Sequence, residues 1–460
     1  MSGGSFQILG YTGVTLLVIP EENLVAVRMF NSFGSPEGFD YLSDVRSFGN
    51  TVVDCLEKVE ISIPSLPVSR SISTIKVSHK TGEVMEQYSK QLKSISRYIN
   101  DLLNDQGGVG LSVAIVKESQ TIYSEGFGAS QINPEQLPID GETRMSIQSI
   151  SKNFVALSIM QLVEENVVSL DDAVVKFLPY FRTKDKRQSD TITIRHILSH
   201  TAGFPSSLGI ANMIAPNVKE IFSDTPTEFQ EALEYYNLTE EEVRRVRTRE
   251  DVTRWFEKVE LDYPVGNGWN YCTDSYVILA DLIEKVTGYE WETYLQEKIL
   301  TPLNMSRTNS DALIVEKDMN SARYYLGEGK VETPFPINPI SAPIGYLYST
   351  ANDFGKYLIL HLNKESTILR SDLIEEMQKP IHLVSDEWKF GSDVRSYGLA
   401  WFVDTYKGYR IVEHGGGQLA VRSLMTMVPE LDLGVVVLLN FDGTMHHEIC
   451  DKIIDTFIEH

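Results

Sequence analysis

Residues 397–440, YGLAWFVDTYKGYRIVEHGGGQLAVRSLMTMVPELDLGVVVLLN, read as successive strands. Strand-like runs cover 397–404, 409–414, 422–428 and 434–439, with turn residues between them. A helical pattern over 448–459 closes the chain. Upstream, apolar residues recur at helical spacing over 84–105 and stop at Gln106-Gly107-Gly108. Two further strands are expected at 111–116 and 121–126, and a long helix at 149–165. Helices cluster in the middle, with antiparallel strands at both ends. This predicts an α+β fold, an antiparallel sheet flanked by helices beside an all-helical subdomain.

The same C-terminal stretch has an echo near the start. Leu16-Leu17-Val18-Ile19-Pro20-Glu21 precedes 24–31 as 424–430 precedes 433–440. One offset of about 409 (the sequence separation) matches Pro20 with Pro429, Glu21 with Glu430, Leu24 with Leu433, Val27 with Val436 and Asn31 with Asn440. A helix at 51–59 would complete the parallel with the C-terminal end. The organisation expected is a hairpin and helix at 1–59, a linker at 60–81, and the main domain at 82–460. Within that domain the all-helical part spans roughly 150–345, with a charge-dense insertion at 205–262 that reads either as a solvated arm or as a lid or substrate-selecting wall. The constant offset places Ser5-Phe6-Gln7-Ile8 opposite His414–Gly417, so the N-terminal copy lacks that glycine motif and builds no second site.

With 460 residues, 42% of them apolar, the chain can bury a large core. Its net charge of −23 makes nucleic acid and anionic membrane surfaces poor partners. No apolar run approaches the roughly 20 residues needed to span a bilayer. Residues 1–10 carry neither a basic start nor an apolar signal core, so as written the chain reads as cytoplasmic, an exported form with a trimmed leader being the alternative. Three widely spaced cysteines, Cys55, Cys272 and Cys450, fit a reducing compartment and show no metal-ligand spacing. His196 and His200 stand four apart, but no third ligand stands out, so neither a metal nor a cofactor is expected.

Three segments can carry chemistry. Ser149-Ile150-Ser151-Lys152 opens an apolar helix, where free N–H groups favour negative charge. Residues three apart share a helix face, so Lys152 Nζ can reach Ser149 Oγ, and a lysine withdrawn from water can act as a base. Read alone, Ser149 is equally a helix cap and Lys152 a surface charge. Tyr271 lies on the turn-rich loop 264–273, where a nearby cation would stabilise its phenolate; a packed aromatic is the plain alternative. His414-Gly415-Gly416-Gly417 interrupts a strand with glycines, which suits close approach of a ligand or a bulge. The N–H groups of Ser149 and Gly417 could form an oxyanion hole.

Taken together and in this order, these motifs resemble the class C β-lactamase, penicillin-binding protein and esterase family. Residues 193–205, 345–353 and 397–401 resemble the family's linking segments, and the match spans about 82–460. The resemblance implies a β-lactamase/transpeptidase-like fold, with Ser149 as nucleophile, Lys152 and Tyr271 as the proton-transfer pair, and Ser149 and Gly417 as oxyanion donors. Thr273, His414, Gly415 and Gly416 would line the substrate. Two departures stand out. Thr273 occupies a position usually held by asparagine, and its hydroxyl offers fewer hydrogen bonds than an amide. His414 holds a place often filled by lysine, and is expected to line the site and to contact a substrate carboxylate. The expected function is a serine hydrolase acting on small-molecule esters, small amides or D-peptides through an acyl-enzyme. The alternatives are a penicillin-recognising DD-carboxypeptidase or β-lactamase, and a non-turnover binding or sensory protein of the same fold. A homo-oligomer built through the N-terminal repeat is a further expectation.

Overall fold

The computed structural model describes residues 87–221, 226–363, 366–389 and 394–458, together with three strand segments near the N-terminus. The chain divides into two compact units, residues 1–75 and 76–460. The first contains β1 (Phe6–Leu9), β2 (Val14–Ile19) and β3 (Leu24–Met29), joined in that order as an antiparallel sheet. The helix expected at 51–59 and the linker at 60–81 lie outside the described residues.

The second unit is organised by one nine-stranded sheet. Its strands are β4 (Gly110–Lys117), β5 (Gln120–Gln131), β6 (Leu137–Pro138), β7 (His382–Leu383), β8 (Ser396–Tyr397), β9 (Phe402–Tyr406), β10 (Tyr409–Gln418), β11 (Val421–Val428) and β12 (Leu433–Leu439). They lie in the order β7-β8-β9-β10-β11-β12-β4-β5-β6. Every neighbouring pair is antiparallel. The two terminal regions of the unit meet where β12 pairs with β4, Leu439 opposite Leu111.

The central strands are apolar on both faces because each face is covered. Leu111, Val113, Ile115, Val435 and Val437 face α1 (Ser89–Asp105) and α5 (Met445–Ile458), meeting Ile95, Ile99, Ile449 and Ile453. Ala114, Val116, Val436 and Leu438 face the other way, onto α4 (Ala351–Leu362), in a core shared with α2 (Ser151–Glu164) and α3 (Ser275–Thr287). Gly434 lets α4 lie close, since a Cβ there would stand 3.2 Å from Leu358 Cβ.

Two expectations are corrected. The strand expected over 397–404 is broken into β8 and β9. Between them Gly398 N–H donates to Trp401 O at 2.7 Å, and Ala400 takes φ of 64°. Tertiary contacts impose this bend: Asn153 Nδ2 donates to Ala400 O at 2.6 Å and Ala400 N–H to Leu198 O at 3.2 Å. The insertion at 205–262 is not a solvated arm. Leu208, Ile210, Met213, Phe229, Val252 and Phe256 belong to the same core as α2 and α3. Buried Arg249 ties it to Glu284 and Glu292 and donates to Ile340 O at 3.0 Å. Among the described residues no helix is long and apolar enough to cross a membrane.

Asn440, at the end of β12, joins three segments. Its side-chain amide donates to Ala129 O and Arg323 O, each at 3.0 Å, and its own carbonyl accepts from Tyr325 N–H. Asn440→Ala would take a donor from the buried Ala129 carbonyl and the partly buried Arg323 carbonyl. A loss of about 1–3 kcal/mol is expected, measurable as a lower denaturation midpoint with an unchanged slope.

Candidate active site

Ser149 does not sit on an α-helix. It lies on a single 3₁₀ turn, Gln148–Ile150, which leads into α2. Lys152 follows three residues on, in the first turn of α2, where its side chain lies within reach of the serine. Its Nζ donates to Ser149 Oγ at 3.0 Å and to Ile344 O at 2.9 Å. The turn is clamped from several sides. Gln148 takes φ of 48°, seldom adopted by a residue with a side chain, and its amide donates to Ser146 Oγ at 2.7 Å. Ser423 Oγ holds the Ile147 carbonyl at 2.8 Å.

Lys152 is fully buried. Loss of water disfavours the ammonium form and draws its pKa from the ordinary 10.5 to about 7, although Asp274 and Cys272 act in the opposite direction. Asp274 is itself buried and committed, accepting from Ala211 N–H at 2.7 Å and Gly209 N–H at 3.2 Å. The lysine thus stands near neutrality without a close carboxylate bonded to its nitrogen.

Tyr271 comes from the loop before α3 and lines the same cleft as Ser149, which acts on its phenol from close by. Lys152 Nζ lies 5.1 Å from its ring centroid. Burial dominates over that proximity and pushes the phenol's pKa up, which favours the protonated form of Tyr271 at neutral pH. His200 packs against the ring at 4.3 Å and Trp388 stacks on it at 4.6 Å.

The glycine strand runs beside the nucleophile. A Cβ on Gly416 would lie 2.3 Å from Ile147 O and 2.4 Å from Ser423 Oγ, so only glycine lets β10 approach the Ser149 turn this closely. His414 is buried, and burial lowers its pKa to about 3, with the Lys152 charge adding to the effect. Its Nδ1 lies 2.7 Å from Gly415 O, which requires an N–H there. Nε2 is then the acceptor, 3.1 Å from Tyr397 Oη and 3.5 Å from Tyr271 Oη. In this tautomer the imidazole turns its lone pair toward the two tyrosine hydroxyls and presents no N–H to the cleft.

Ser149, Tyr271, Thr273, His414, Gly415, Gly416 and Gly417 line one cleft of about 510 Å³, walled also by Ser206 and Ser207 from the start of the insertion. Lys152 sits beneath its floor. The pair considered for zinc serves other ends: His196 Nδ1 accepts from Thr193 N–H at 3.1 Å, and His200 Nδ1 from Cys272 N–H at 3.2 Å. Among the described residues no group of three His, Cys, Asp or Glu is placed to hold a metal. Sequence reasoning missed Gln148, the Ile344 carbonyl, His200 as a ring support and Tyr397 as the partner of His414. His200 and Tyr397 stand inside segments that the motif order had singled out. The backbone carbonyl and the positive φ leave no side-chain signal.

The Beta-lactamase family model matches residues 95–455. Protein flp of Staphylococcus aureus (strain COL) is 24% identical over 353 residues, covering 76% of this chain and 63% of that protein. Beta-lactamase-like protein 2 of Dictyostelium discoideum is 25% identical over 393 residues, covering 82% of this chain and 62% of that protein. The chain therefore spans a little under two thirds of these curated relatives. Among solved structures, the octameric penicillin-binding protein homologue from Pyrococcus abyssi superposes with a TM-score of 0.68 at 29% identity, covering 80% of this chain and 77% of that one. The D-stereospecific amidohydrolase from Streptomyces sp. superposes with a TM-score of 0.59 at 21% identity, covering 79% and 97%, a likeness of fold. With a family match running through most of its length and both helical and sheet regions, the chain belongs to the Beta-lactamase family.

Proposed function

We propose that this protein is a serine hydrolase that forms an acyl-enzyme on Ser149 and acts on small esters, small amides or D-peptides. The observation that carries the reading is the buried Lys152 amine 3.0 Å from Ser149 Oγ, with its proton affinity reduced to that of a base at neutral pH. Neutral Lys152 accepts the Ser149 proton as Oγ attacks the carbonyl carbon. The N–H groups of Ser149 and Gly417 receive the developing oxyanion. The bond to the leaving oxygen or nitrogen then breaks, and Tyr271 gives that atom its proton. Lys152 returns the proton it took to Tyr271, so charge and protons balance at the acyl-enzyme. Water repeats the sequence to release the acid. Tyr271 suits the acid role because it is a phenol at rest, and Lys152 suits the base role because it is partly an amine.

His414 and Thr273 shape the substrate class. His414 supplies no cation, while Arg395 and Arg422 line the same cleft, so the support for esters and small amides over penicillins rests on Thr273, whose hydroxyl offers fewer hydrogen bonds than an amide.

A fluorophosphonate probe should label the wild-type chain once and leave Ser149→Ala unlabelled, while Lys152→Ala should slow labelling by about 10²–10⁴-fold. Equal labelling of wild type and Ser149→Ala would remove Ser149 from the reaction. Acylation by an uncharged ester should also depend on pH. Below about 7 Lys152 is an ammonium ion without a lone pair, so the rate should fall as pH drops through that value and level off above it. A rate that stays flat from about pH 6 to about pH 8 would assign the base elsewhere.

A further inference from the structure

Tyr271 is held by one residue of a distant segment. His200 follows the short helix Ile194–Leu198. The residues on either side of Tyr271 each give it their backbone N–H. Asn270 N–H donates to His200 O at 3.1 Å, and Cys272 N–H donates to His200 Nδ1 at 3.2 Å. The His200 ring packs on the Tyr271 ring with centroids 4.3 Å apart. Together these contacts fix the chain on both sides of Tyr271 and support its phenol ring. The same two segments are joined further along, where Gly266 N–H donates to Thr201 O at 2.9 Å and Asp262 N–H to Gly203 O at 2.8 Å.

The imidazole does this without charge. Nδ1 accepts the Cys272 N–H and so carries no proton, which leaves the ring's one proton on Nε2. Burial, with the Lys152 charge adding to it, holds the His200 pKa well below the usual histidine range. His200 also departs from what stability alone favours. It takes φ of 58°, and its Nε2–H has no hydrogen-bond partner among the described residues. Both features lower stability, and such features concentrate where geometry serves chemistry.

We infer that His200 is a positioning residue for the acid step: it fixes the Tyr271 phenol where a departing alkoxide or amine takes its proton. This rests on the proposed role of Tyr271 as the acid. The consequence concerns substrate class. A nitrophenolate leaves as a stable anion and needs no proton, whereas an alkoxide or an amine leaves only as it is protonated. For those groups the C–O or C–N bond breaks as the Tyr271 proton reaches the leaving atom. Lys152 then returns to Tyr271 the proton taken from Ser149. Placement of Tyr271 by His200 thus extends the reaction from activated aryl esters to alkyl esters and amides.

The test compares ethyl butyrate with para-nitrophenyl butyrate, which share an acyl group and differ in the leaving group. For each, kcat/KM reports acylation, and the ratio of the two does not depend on how much of a variant is folded. His200→Phe keeps a ring and removes the acceptor. Its ethyl-to-nitrophenyl ratio should fall by about 10²-fold from the wild-type value. His200→Asn puts an oxygen near the place of Nδ1 and should return most of the ratio. Equal losses on both esters, no rescue by His200→Asn, or a wild-type chain that cleaves only the nitrophenyl ester would overturn the inference. Tyr271→Phe separates this from the mechanism itself, and should shift the ratio at least as far as His200→Phe. If it leaves the ratio unchanged, Tyr271 is not the acid and the proposed mechanism fails. A shift in Tyr271→Phe with none in His200→Phe overturns the role of His200 alone. Should His200→Phe not fold, His200→Gln, whose oxygen reaches one bond further, takes its place with the same expectation. If neither folds, His200 serves stability alone and the inference fails.

Discussion

The site depends on an amine kept out of water. Lys152 is buried completely, yet its nitrogen is bonded to a serine hydroxyl and a backbone carbonyl rather than to a carboxylate. A close ion pair would hold the proton on the lysine. Without one, desolvation lowers its proton affinity until the amine and ammonium forms are both populated near neutral pH. Other features follow from that requirement. The 3₁₀ turn leading into α2 sets Ser149 within 3.0 Å of Lys152, α3 and its preceding loop roof the lysine with Tyr271, and Asp274 is occupied by the Gly209 and Ala211 N–H groups.

The sheet supplies the other wall, and its closeness is bought with glycine. β10 approaches the Ser149 turn so nearly that a methyl group at 416 would overlap the Ile147 carbonyl. The positive φ of Gln148 is the matching strain on the other side, held by Ser146 and by the clamp from Ser423 to Ile147. A buried neutral histidine at 414 then costs no unpaired charge, because Gly415 O and the Tyr397 hydroxyl satisfy both ring nitrogens.

Much of this arrangement was legible in the residues. The strands at 409–439 and the helix that follows carry strong local patterns, and their apolar faces match the layers that cover them. The Ser-x-x-Lys spacing, Tyr271 and the glycine run were readable because each has a side-chain or glycine signature. What local pattern could not give was decided by distant partners. The break between β8 and β9 answers to Asn153 and Leu198, far away in sequence. The protonation of Tyr271 and His414 depends on how completely other segments bury them. The charged run at 239–245 suggested a solvated arm, but Leu238, Val243 and Val246 join the main core, a fact set by the third dimension.

The central claim is that Ser149 carries the acyl group of a substrate on the way to product. Intact-protein mass spectrometry during turnover of an uncharged ester, quenched in acid and followed by peptide mapping, reads this directly. The account predicts a transient gain equal to the acyl group, located on the peptide containing Ser149, which decays as substrate is exhausted. Turnover with no adduct at any quench time, or an adduct on another residue, would contradict it.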